Sequence, residues 1–470
     1  MRNFFFIFFC LLPNVSAAQT SNTFWQALYE EADLTNSLFF FTRNRDRYEG
    51  GSETFVSVRD NFDDDVIESG YKSDLDHTTV QFGLDYQSGR WLNYISYRLA
   101  GYGASDIEYD NDATRNIEHE FSFAGDRWGE ENKDKADSDW AVTVNAVSLH
   151  LINDKLTATI GYSALHVPGI IGVNWSNHPG TYQGVQLKYE TDNVTYYGAW
   201  ADEYKAPWYR YTQKFYKVNS WEPLNSETEI DYIWGLGASY QRKPFTVEAG
   251  YGESQDYLKS YYLKFEKTLN IGDSASVSYS FYGSESLGDD EFELYQSLAW
   301  QQGVRYQATH DTIDWRAEAI YTRAQGFGNY IPRLTRGYAN SQGASEFWWD
   351  ARSDWNHDGE KAVFTGVWLN PVNIIGQQGW RIGASLVYGW GAIRWLNGEE
   401  DKRAPRGEEW AYNIDIGFTF QEGYFKGASI NLHYTDYNNR QDELGSWYYP
   451  NMFTSERDVK LLINIPWQLF

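Results

Sequence analysis

The sequence is almost without cysteine: it has one in 470 residues, Cys10, and that one lies in the first apolar stretch. Arg2, the apolar run of residues 4–12 and the small-residue stretch that ends at Ala18 have the order of a secretory signal peptide. We therefore predict that residues 1–18 are a signal peptide. The chain from residue 19 onward then has no thiol, which excludes disulfides and cysteine chemistry.

Long apolar runs are also missing after residue 18. A transmembrane helix needs about 20 consecutive, mostly apolar residues, and the mean hydropathy of the chain is −0.61. These two observations exclude an α-helical membrane protein. They do not exclude a membrane β-barrel, because only every second residue of its strands faces lipid.

Basic residues are scarce relative to acidic ones: 39 Lys and Arg stand against 65 Asp and Glu, a formal net charge of −26. Nucleic-acid binding requires basic surface, so nucleic acid is not expected as a partner. The acidic loops are expected either to be simply solvated or to be bridged to anionic lipopolysaccharide by divalent cations.

The chain is rich in aromatic residues, 18% of the total with 37 Tyr and 21 Trp. Membrane barrels place such residues in girdles at both membrane interfaces. The last segment also alternates, with Val459, Leu461 and Ile463 on one side. Because an unpaired apolar edge invites aggregation, we predict that this strand closes against the first one. Phe470 lies in the opposite phase, and Pro466 predicts a bulge that resets it.

Similar alternating segments recur along the chain and give about 18 strands, within the even-numbered range of such barrels. Turn-forming residues separate some strands, at 88–89, 153–154, 192–193, 242–243, 272–273, 310–311 and 422–423, with a longer join at 371–378. Long polar stretches separate the others, at 44–75, 102–139, 166–180, 204–229, 324–360, 392–408 and 438–455.

Short turns on one side and long loops on the other are typical of bacterial outer-membrane barrels, whose turns face the periplasm. The predicted fold class is therefore all-β: a transmembrane antiparallel β-barrel of about 18 strands, with short periplasmic turns and long extracellular loops. We expect residues 19–470 to form this barrel as a single domain. A barrel of this size leaves an aqueous channel.

Charged residues of both signs occupy the strand phase opposite to the apolar one. The predicted pore-lining residues are Arg98, Lys188, Glu248, Arg305, Arg316, Glu318, Arg381 and Asp415. Mixed charges across a constriction produce a transverse field that selects solutes by dipole and size. The alternative is that these residues only pair with one another in a wet interior, where an exposed pair contributes about 0–1 kcal/mol.

Aromatic residues in the long loops form a candidate binding site for sugars. Sugar rings have apolar C–H faces that lie flat on aromatic rings, while their hydroxyls need polar partners. The predicted substrate-binding residues are Trp175, Trp208, Trp348, Trp349, Asp350 and Arg352. The alternative roles of these aromatic residues are a membrane-interface girdle and loop packing.

The stretch 354–359, DWNHDG, matches the opening of a calcium-binding loop. In such a loop the side chains of Asp354, Asn356 and Asp358 would coordinate one ion, and a glycine permits the turn. Thr365 stands where the full motif has a bidentate glutamate. Calcium is therefore a secondary prediction, an Asx-rich turn is the alternative, and no other cofactor is expected.

Sequence signals for catalysis are few. No G-x-S-x-G motif surrounds a serine, and the eight histidines are scattered. A hydrolase would need Ser, His and an orienting group brought together by the fold. We predict that the chain is not an enzyme; an outer-membrane enzyme or adhesin anchored by its barrel is the alternative from another class.

Four strings resemble the chitoporin branch of the OprD-type porins: HPGTYQG at 178–184, EYKAPW at 203–208, FWWDARSDWNHDGEKAVF at 347–364 and SERDVK at 455–460. The resemblance implies an 18-stranded, usually monomeric barrel in the Gram-negative outer membrane. It implies that loops, here 166–180 and 324–360, fold inward. It also implies passive uptake of chitooligosaccharides, and it adds Tyr182 to the predicted substrate-binding residues.

Two transport hypotheses follow from the resemblance and the charge. The wider family often uses a ladder of basic residues for anionic solutes, and Arg305, Arg316 and Arg381 resemble part of one. Glu318 and Asp415 lie among them, which favours a neutral or weakly basic sugar. The alternative is a less selective porin for small cationic or neutral solutes such as amino acids, which the acidic charge favours.

Overall fold

The computed structural model describes residues 23–47, 58–59, 66–67, 75–109, 138–172, 178–205, 212–217, 229–287, 294–326, 328, 346–396, 398–441 and 455–468. Within these ranges 18 strands form one antiparallel sheet that closes on itself. The predicted fold class is therefore confirmed. In the same part of the chain, no helix is long and apolar enough to cross a membrane.

The barrel strands follow one another in chain order. They are β1 (Asp33–Arg47), β2 (Leu75–Gln87), β3 (Ile95–Tyr109), β4 (Ser138–Leu151), β5 (Leu156–Ser163), β6 (Thr181–Glu190), β7 (Val194–Lys205), β8 (Ile233–Arg242), β9 (Phe245–Ser254), β10 (Leu258–Leu269), β11 (Ser274–Ser286), β12 (Ala299–His310), β13 (Ile313–Arg323), β14 (Lys361–Leu369), β15 (Trp380–Ala392), β16 (Gly407–Thr419), β17 (Ser429–Asn439) and β18 (Glu456–Gln468).

Each strand pairs with its neighbours in sequence, and β18 closes the ring against β1 as predicted. Residues 35–47 of β1 lie opposite residues 456–468 of β18 without a shift of register. The bulge predicted at Pro466 is therefore wrong. Pro466 lies beyond Asn464, the last residue of β18 that pairs with β17, so its missing N–H costs no bond to that strand. Phe470 lies outside the described residues.

Alternation along the strands separates an outer face from an inner face. Large apolar side chains remain exposed in one phase, including Phe82, Leu84, Leu99, Ile160, Leu187, Leu263, Phe265, Val304, Val363, Ile414, Ile416 and Leu432. In a barrel such an exposed apolar phase faces lipid. Residues in the other phase, such as Lys264 between Leu263 and Phe265, therefore face the interior.

The connections differ in length at the two ends of the barrel, and we call these the turn end and the loop end. The turn end has residues 88–94, 152–155, 191–193, 243–244, 270–273, 311–312, 370–379 and 420–428, and the loop end has 48–74, 110–137, 164–180, 206–232, 255–257, 287–298, 324–360, 393–406 and 440–455. The predicted loop 102–139 is shorter than expected. Residues 101–105 continue the ladder with β4, so β3 extends further than predicted.

Small elements accompany the barrel. At the loop end, two-residue ladders join Val58–Arg59 to Val66–Ile67, Phe215–Tyr216 to Glu229–Ile230 and Trp395–Leu396 to Glu399–Glu400. At the turn end, the connection 370–379 contains the helix α1 (Val372–Ile375), and one π-helical turn, Gln26–Glu30, precedes β1.

Candidate solute path and binding site

The β13–β14 loop, residues 324–360, lies against the inner wall of the barrel where the structure describes it. The carboxylate of Glu346 pairs with Lys264 of β10 at 2.9 Å and with Arg305 of β12 at 3.3 Å. The side chain of Asp350 finds its partners on β17 and β18. Between these two residues the wall partners change from β10 to β18, so this short stretch links two separate parts of the wall from inside the barrel.

Glu346 is the first anchor of this stretch. Its carboxylate also accepts a hydrogen bond from Tyr262 at 2.9 Å, and its backbone N–H donates to the hydroxyl of Tyr282 at 3.1 Å. Burial alone would raise the pKa of Glu346, but Lys264 and Arg305 lower it below its usual value. The residue is therefore ionised at neutral pH and holds the loop to the wall.

Phe347 and Trp349 turn toward the wall. Phe347 packs over Gly303, where a Cβ atom would lie only 2.6 Å from its ring, so glycine is needed for this approach. Trp349 stacks on Phe364 with a centroid distance of 5.3 Å, and its indole N–H donates to Glu318 at 2.6 Å. Both aromatic side chains are buried.

Trp348 lies between Phe347 and Trp349 and is 58% exposed. Neighbouring side chains of an extended chain point in opposite directions. Because Phe347 and Trp349 face the wall, the indole of Trp348 faces the barrel interior. Among the described residues of this loop, Trp348 presents a large aromatic surface to a solute.

Asp350 and Arg352 fix the end of the stretch. The Asp350 carboxylate pairs with Lys460 Nζ at 2.6 Å, and its backbone carbonyl accepts a hydrogen bond from His433 Nε2 at 3.0 Å. Arg352 forms an ion pair with Glu456 and is mostly buried. The Asp350 carboxylate is still 35% exposed, so it can also contact a solute.

The backbone of this stretch is strained. Asp350, Arg352 and Trp355 have φ of 49°, 68° and 54°, in the left-handed region that side chains other than glycine rarely adopt. Such a residue costs about 1–3 kcal/mol and persists only where its surroundings hold it. The ion pairs to the barrel wall supply that hold.

The β5–β6 loop, residues 164–180, also lies against the inner wall where it is described. Its buried apolar side chains are Leu165, Val167, Ile170 and Ile171. Three of them, Val167, Ile170 and Ile171, pack near glycines of β8 and β9 in the interior phase, namely Gly235, Gly237, Gly250 and Gly252. A Cβ atom at Gly250 would lie 2.2 Å from the carbonyl oxygen of Pro168, so the glycines make room for the loop.

His178 and Tyr182 support this second loop. The His178 ring stacks on Tyr102 with a centroid distance of 4.1 Å. Burial and the nearby Lys205 lower the pKa of His178 to about 4, so the ring is neutral and packs as an aromatic. Tyr182 is fully buried, and its hydroxyl donates to the carbonyl of Gly172 at 2.6 Å.

These contacts correct part of the predicted binding site. Tyr182 and Trp349 are buried and leave no ring face for a sugar, and Arg352 is committed to Glu456. Trp348 and Asp350 keep exposed surface toward the interior. Trp175 and Trp208 lie outside the described residues.

Three of the predicted pore-lining cations lie open in the interior phase. Arg98 pairs with Asp85 at 2.5 Å, Lys188 with Glu190 at 2.9 Å, and Arg381 with Asp314 at 3.6 Å. Their side chains are 49%, 40% and 54% exposed. These cations are thus balanced by carboxylates but remain accessible to a solute.

The other predicted pore-lining residues are more enclosed. Arg305 and Arg316 both pair with Glu318, whose side chain has no exposure beneath the β13–β14 loop. Glu248 accepts hydrogen bonds from Ser239 at 3.3 Å and Tyr262 at 3.4 Å, and Asp415 accepts one from Trp368 at 3.0 Å. They hold the wall and the loop together.

In the candidate calcium loop, both oxygens of the Asp358 carboxylate accept hydrogen bonds from other parts of the protein. One oxygen of its carboxylate accepts a hydrogen bond from the backbone of Ala324 at 2.7 Å, and the other accepts one from Trp395 Nε1 at 2.9 Å. Over the residues that the structure describes, no group of three or more His, Cys, Asp or Glu is arranged to hold a metal ion. Calcium binding by Asp354, Asn356 and Asp358 stays a prediction that this geometry does not support.

Two buried carboxylates fasten the end of the β13–β14 loop. Glu360 and Glu409 are both fully buried and lie close enough to influence each other's ionisation. The backbone N–H of His357 donates to Glu360 at 3.0 Å, and Ser353 donates to Glu409 at 2.8 Å. Two buried carboxylates this close do not both ionise. Burial raises the pKa of Glu360 to about 7, so the pair holds a proton.

We expect the Glu360–Glu409 pair to make the protein less stable as pH rises from 4.5, the ordinary pKa of Glu360, to about 7. In that window the folded protein keeps the proton of the pair and the unfolded chain releases it, so raising the pH favours unfolding. His178, whose pKa is about 4, acts in the opposite direction, because there the unfolded chain binds the proton. The measurement is therefore the difference in unfolding temperature in detergent between the natural protein and Glu409→Gln, in which a neutral amide faces Glu360. The unfolding temperature of the natural protein relative to the variant should fall as pH rises; a constant difference would contradict the role of the pair.

Sequence reasoning missed three residues that hold the β13–β14 loop: Glu346, Lys264 and Lys460. Lys264 and Lys460 lie in the interior phase of alternating strands, and that phase was a signal for finding them. Glu346 lies in a loop without periodicity, and no sequence signal marked it.

Comparison with known proteins identifies the family. Residues 31–468 match the protein family described as "outer membrane porin, OprD family". Chitoporin of Escherichia coli strain K12 is 32% identical over 469 residues, covering 95% of this chain and 93% of that protein.

Solved structures show the same fold. OccAB2 of Acinetobacter baumannii has a TM-score of 0.71 at 15% identity and covers 94% of this chain and 100% of its own. OccK2 (OpdF) of Pseudomonas aeruginosa in complex with glucuronate has a TM-score of 0.67 at 15% identity, with coverages of 95% and 100%. The chain therefore belongs to the OprD family of porins, and it is a substrate-selective channel of the Gram-negative outer membrane, not an enzyme.

Proposed function

We propose that this porin takes up chitooligosaccharides by passive diffusion. The observation that carries the proposal is the indole of Trp348, which faces the interior from a loop fastened to the wall on both sides of it. Tryptophan is among the side chains whose truncation most often costs substantial binding energy. A ring held still in the solute path binds without first losing the freedom of a mobile loop.

The surroundings of Trp348 suit an N-acetylated sugar. The apolar C–H face of a pyranose stacks on the indole, while its hydroxyl and acetamido groups need donors and acceptors. Asp350, two residues further along the loop, offers a carboxylate that is partly exposed, and elsewhere on the interior wall Arg98 and Arg381 offer guanidinium groups. Because each of these charges already has a partner, the wall favours a neutral polar solute over an ion.

The sequence relationship supports the same substrate class. Chitoporin of Escherichia coli is 32% identical and aligns with nearly the whole chain. The path needs no energy source, since a sugar bound weakly at Trp348 leaves down its gradient. The structure of OccK2 contains glucuronate, a sugar acid, within the same fold.

We expect chitohexaose to interrupt single-channel current in a planar bilayer, and maltohexaose to leave it unchanged at the same concentration. Both are neutral hexasaccharides, so the number of rings and the charge are matched; the sugars differ in the acetamido groups and in the linkage, which is β(1→4) in chitohexaose and α(1→4) in maltohexaose. Equal interruption by both sugars would contradict selectivity for chitooligosaccharides.

The net charge of −26 favours one other candidate, a less selective porin for small cationic or neutral solutes such as amino acids. That channel would show steady cation-selective current that neither sugar interrupts. The same recording therefore separates the two functions.

A further inference from the structure

An exposed aromatic cluster lies at the turn end, away from the solute path. It consists of Phe24, Trp25, Tyr29 and Trp91, which are 48%, 64%, 66% and 37% exposed. Trp25 and Tyr29 stack with a centroid distance of 5.7 Å, and Phe24 meets the edge of Trp91 at 5.8 Å. No part of the transport path uses these residues.

The cluster stands on a well-defined support. Thr23 and Gln26 cap each other reciprocally, with a backbone-to-side-chain hydrogen bond of 2.9 Å in one direction and 3.2 Å in the other. The π-helical turn that follows buries Ala27, and its carbonyl accepts a hydrogen bond from the backbone of Gly89 at 2.7 Å. The N-terminal segment is thereby fixed to the β2–β3 turn.

Close approach of the two segments depends on Gly89. A Cβ atom at Gly89 would lie 2.5 Å from the Cβ of Glu31 and 3.2 Å from the carbonyl oxygen of Ala27. The segment that carries the rings is therefore packed tightly against the barrel.

The position of Tyr86 shows on which side of the wall the cluster lies. Tyr86 belongs to the phase of β2 that contains the exposed residues Phe82 and Leu84, so it points outward. Its hydroxyl donates to the carbonyl of Leu28 at 2.8 Å. The helical turn therefore lies on the outer side of β2, next to the turn end of its lipid-facing surface.

We propose that the Phe24, Trp25, Tyr29 and Trp91 cluster inserts into the headgroup–acyl boundary of the periplasmic leaflet and anchors the N-terminal segment to the membrane. The cluster is continuous with the lipid-facing surface of β2. Trp and Tyr prefer this boundary because an apolar ring and a polar N–H or O–H are both accommodated there. The wall separates the cluster from the interior, so a transported solute does not reach it.

Spin labelling tests this position directly, because the only cysteine, Cys10, can be replaced by serine. Trp25→Cys and Tyr29→Cys would be labelled with a nitroxide in phosphatidylethanolamine–phosphatidylglycerol vesicles. We expect each label to collide more often with lipid-soluble oxygen than with a water-soluble nickel chelate. The ratio of the two collision rates should be several-fold higher than at a control position. Glu422→Cys in the 420–428 turn is the control and should show the reverse preference.

Leu92→Cys provides a second variant in which all four rings are retained. Leu92 is exposed in the same β2–β3 turn, and its label should also favour oxygen. Nickel-dominated collisions at positions 25, 29 and 92 would place the cluster in the periplasm and overturn the proposal. Spin–spin broadening that disappears on dilution with unlabelled protein would overturn it too, because the rings would then contact a second copy.

Discussion

Replacing Asp458 with alanine is expected to destabilise the barrel at the seam between β1 and β18. Asp458 accepts a hydrogen bond from Arg43 Nε at 2.8 Å, and Arg45 lies 3.7 Å away. The side chains of Arg43 and Asp458 have no exposed surface. Removing one member of a buried ion pair costs about 3–5 kcal/mol, because the other charge stays buried without compensation.

The measurement is the urea concentration at which half of the protein is unfolded. The folded fraction is read from a gel, on which the folded barrel and the unfolded chain migrate differently. Asp154→Asn is the control, since it also removes a carboxylate charge from an arginine, and asparagine tolerates the φ of 66° at this position. Arg90 and Asp154 are 2.5 Å apart, but their side chains are 42% and 59% exposed. An exposed pair contributes little, so the control should unfold like the natural protein. A midpoint for Asp458→Ala equal to that of the control would rule out the role given to the seam.

The barrel was predictable because lipid imposes a period on every strand. In β16 Ile414 and Ile416 are exposed on the outer face, and Asp415 between them, which was predicted to line the pore, points inward. Strand ends were less predictable. β3 continues into the predicted loop because Gly101, Tyr102 and Gly103 extend its ladder, and glycines lowered the apparent strand signal.

The binding site was only partly predictable because neither inward loop has a period. Trp348 and Trp349 are adjacent and chemically identical, and both were predicted to bind sugar. Their different surroundings depend on distant partners: Glu318 accepts from Trp349, while Glu346 and Asp350 fix the direction of the chain. A pattern within the loop does not contain these contacts.

Trp348→Ala is expected to weaken chitohexaose binding about 30-fold, which corresponds to about 2 kcal/mol for loss of a central aromatic anchor. Open-channel conductance should change little, because the contacts of Glu346 and Asp350 that fasten the loop on both sides of the indole stay in place. The measurement is the concentration dependence of current interruption in a planar bilayer. Trp348→Phe keeps a ring for stacking and should retain part of the affinity.

Trp349→Ala is the matched control, since it removes the same side chain one residue away. It deletes the hydrogen bond to Glu318 and the stack on Phe364, and it leaves a cavity behind the loop. Large-to-small substitutions of a buried Trp cost about 3–5 kcal/mol. We therefore expect this variant to alter open-channel conductance and unfolding, which Trp348→Ala leaves intact. If both variants lose sugar binding with unchanged conductance, the distinction between a sugar-facing and a wall-facing tryptophan is wrong.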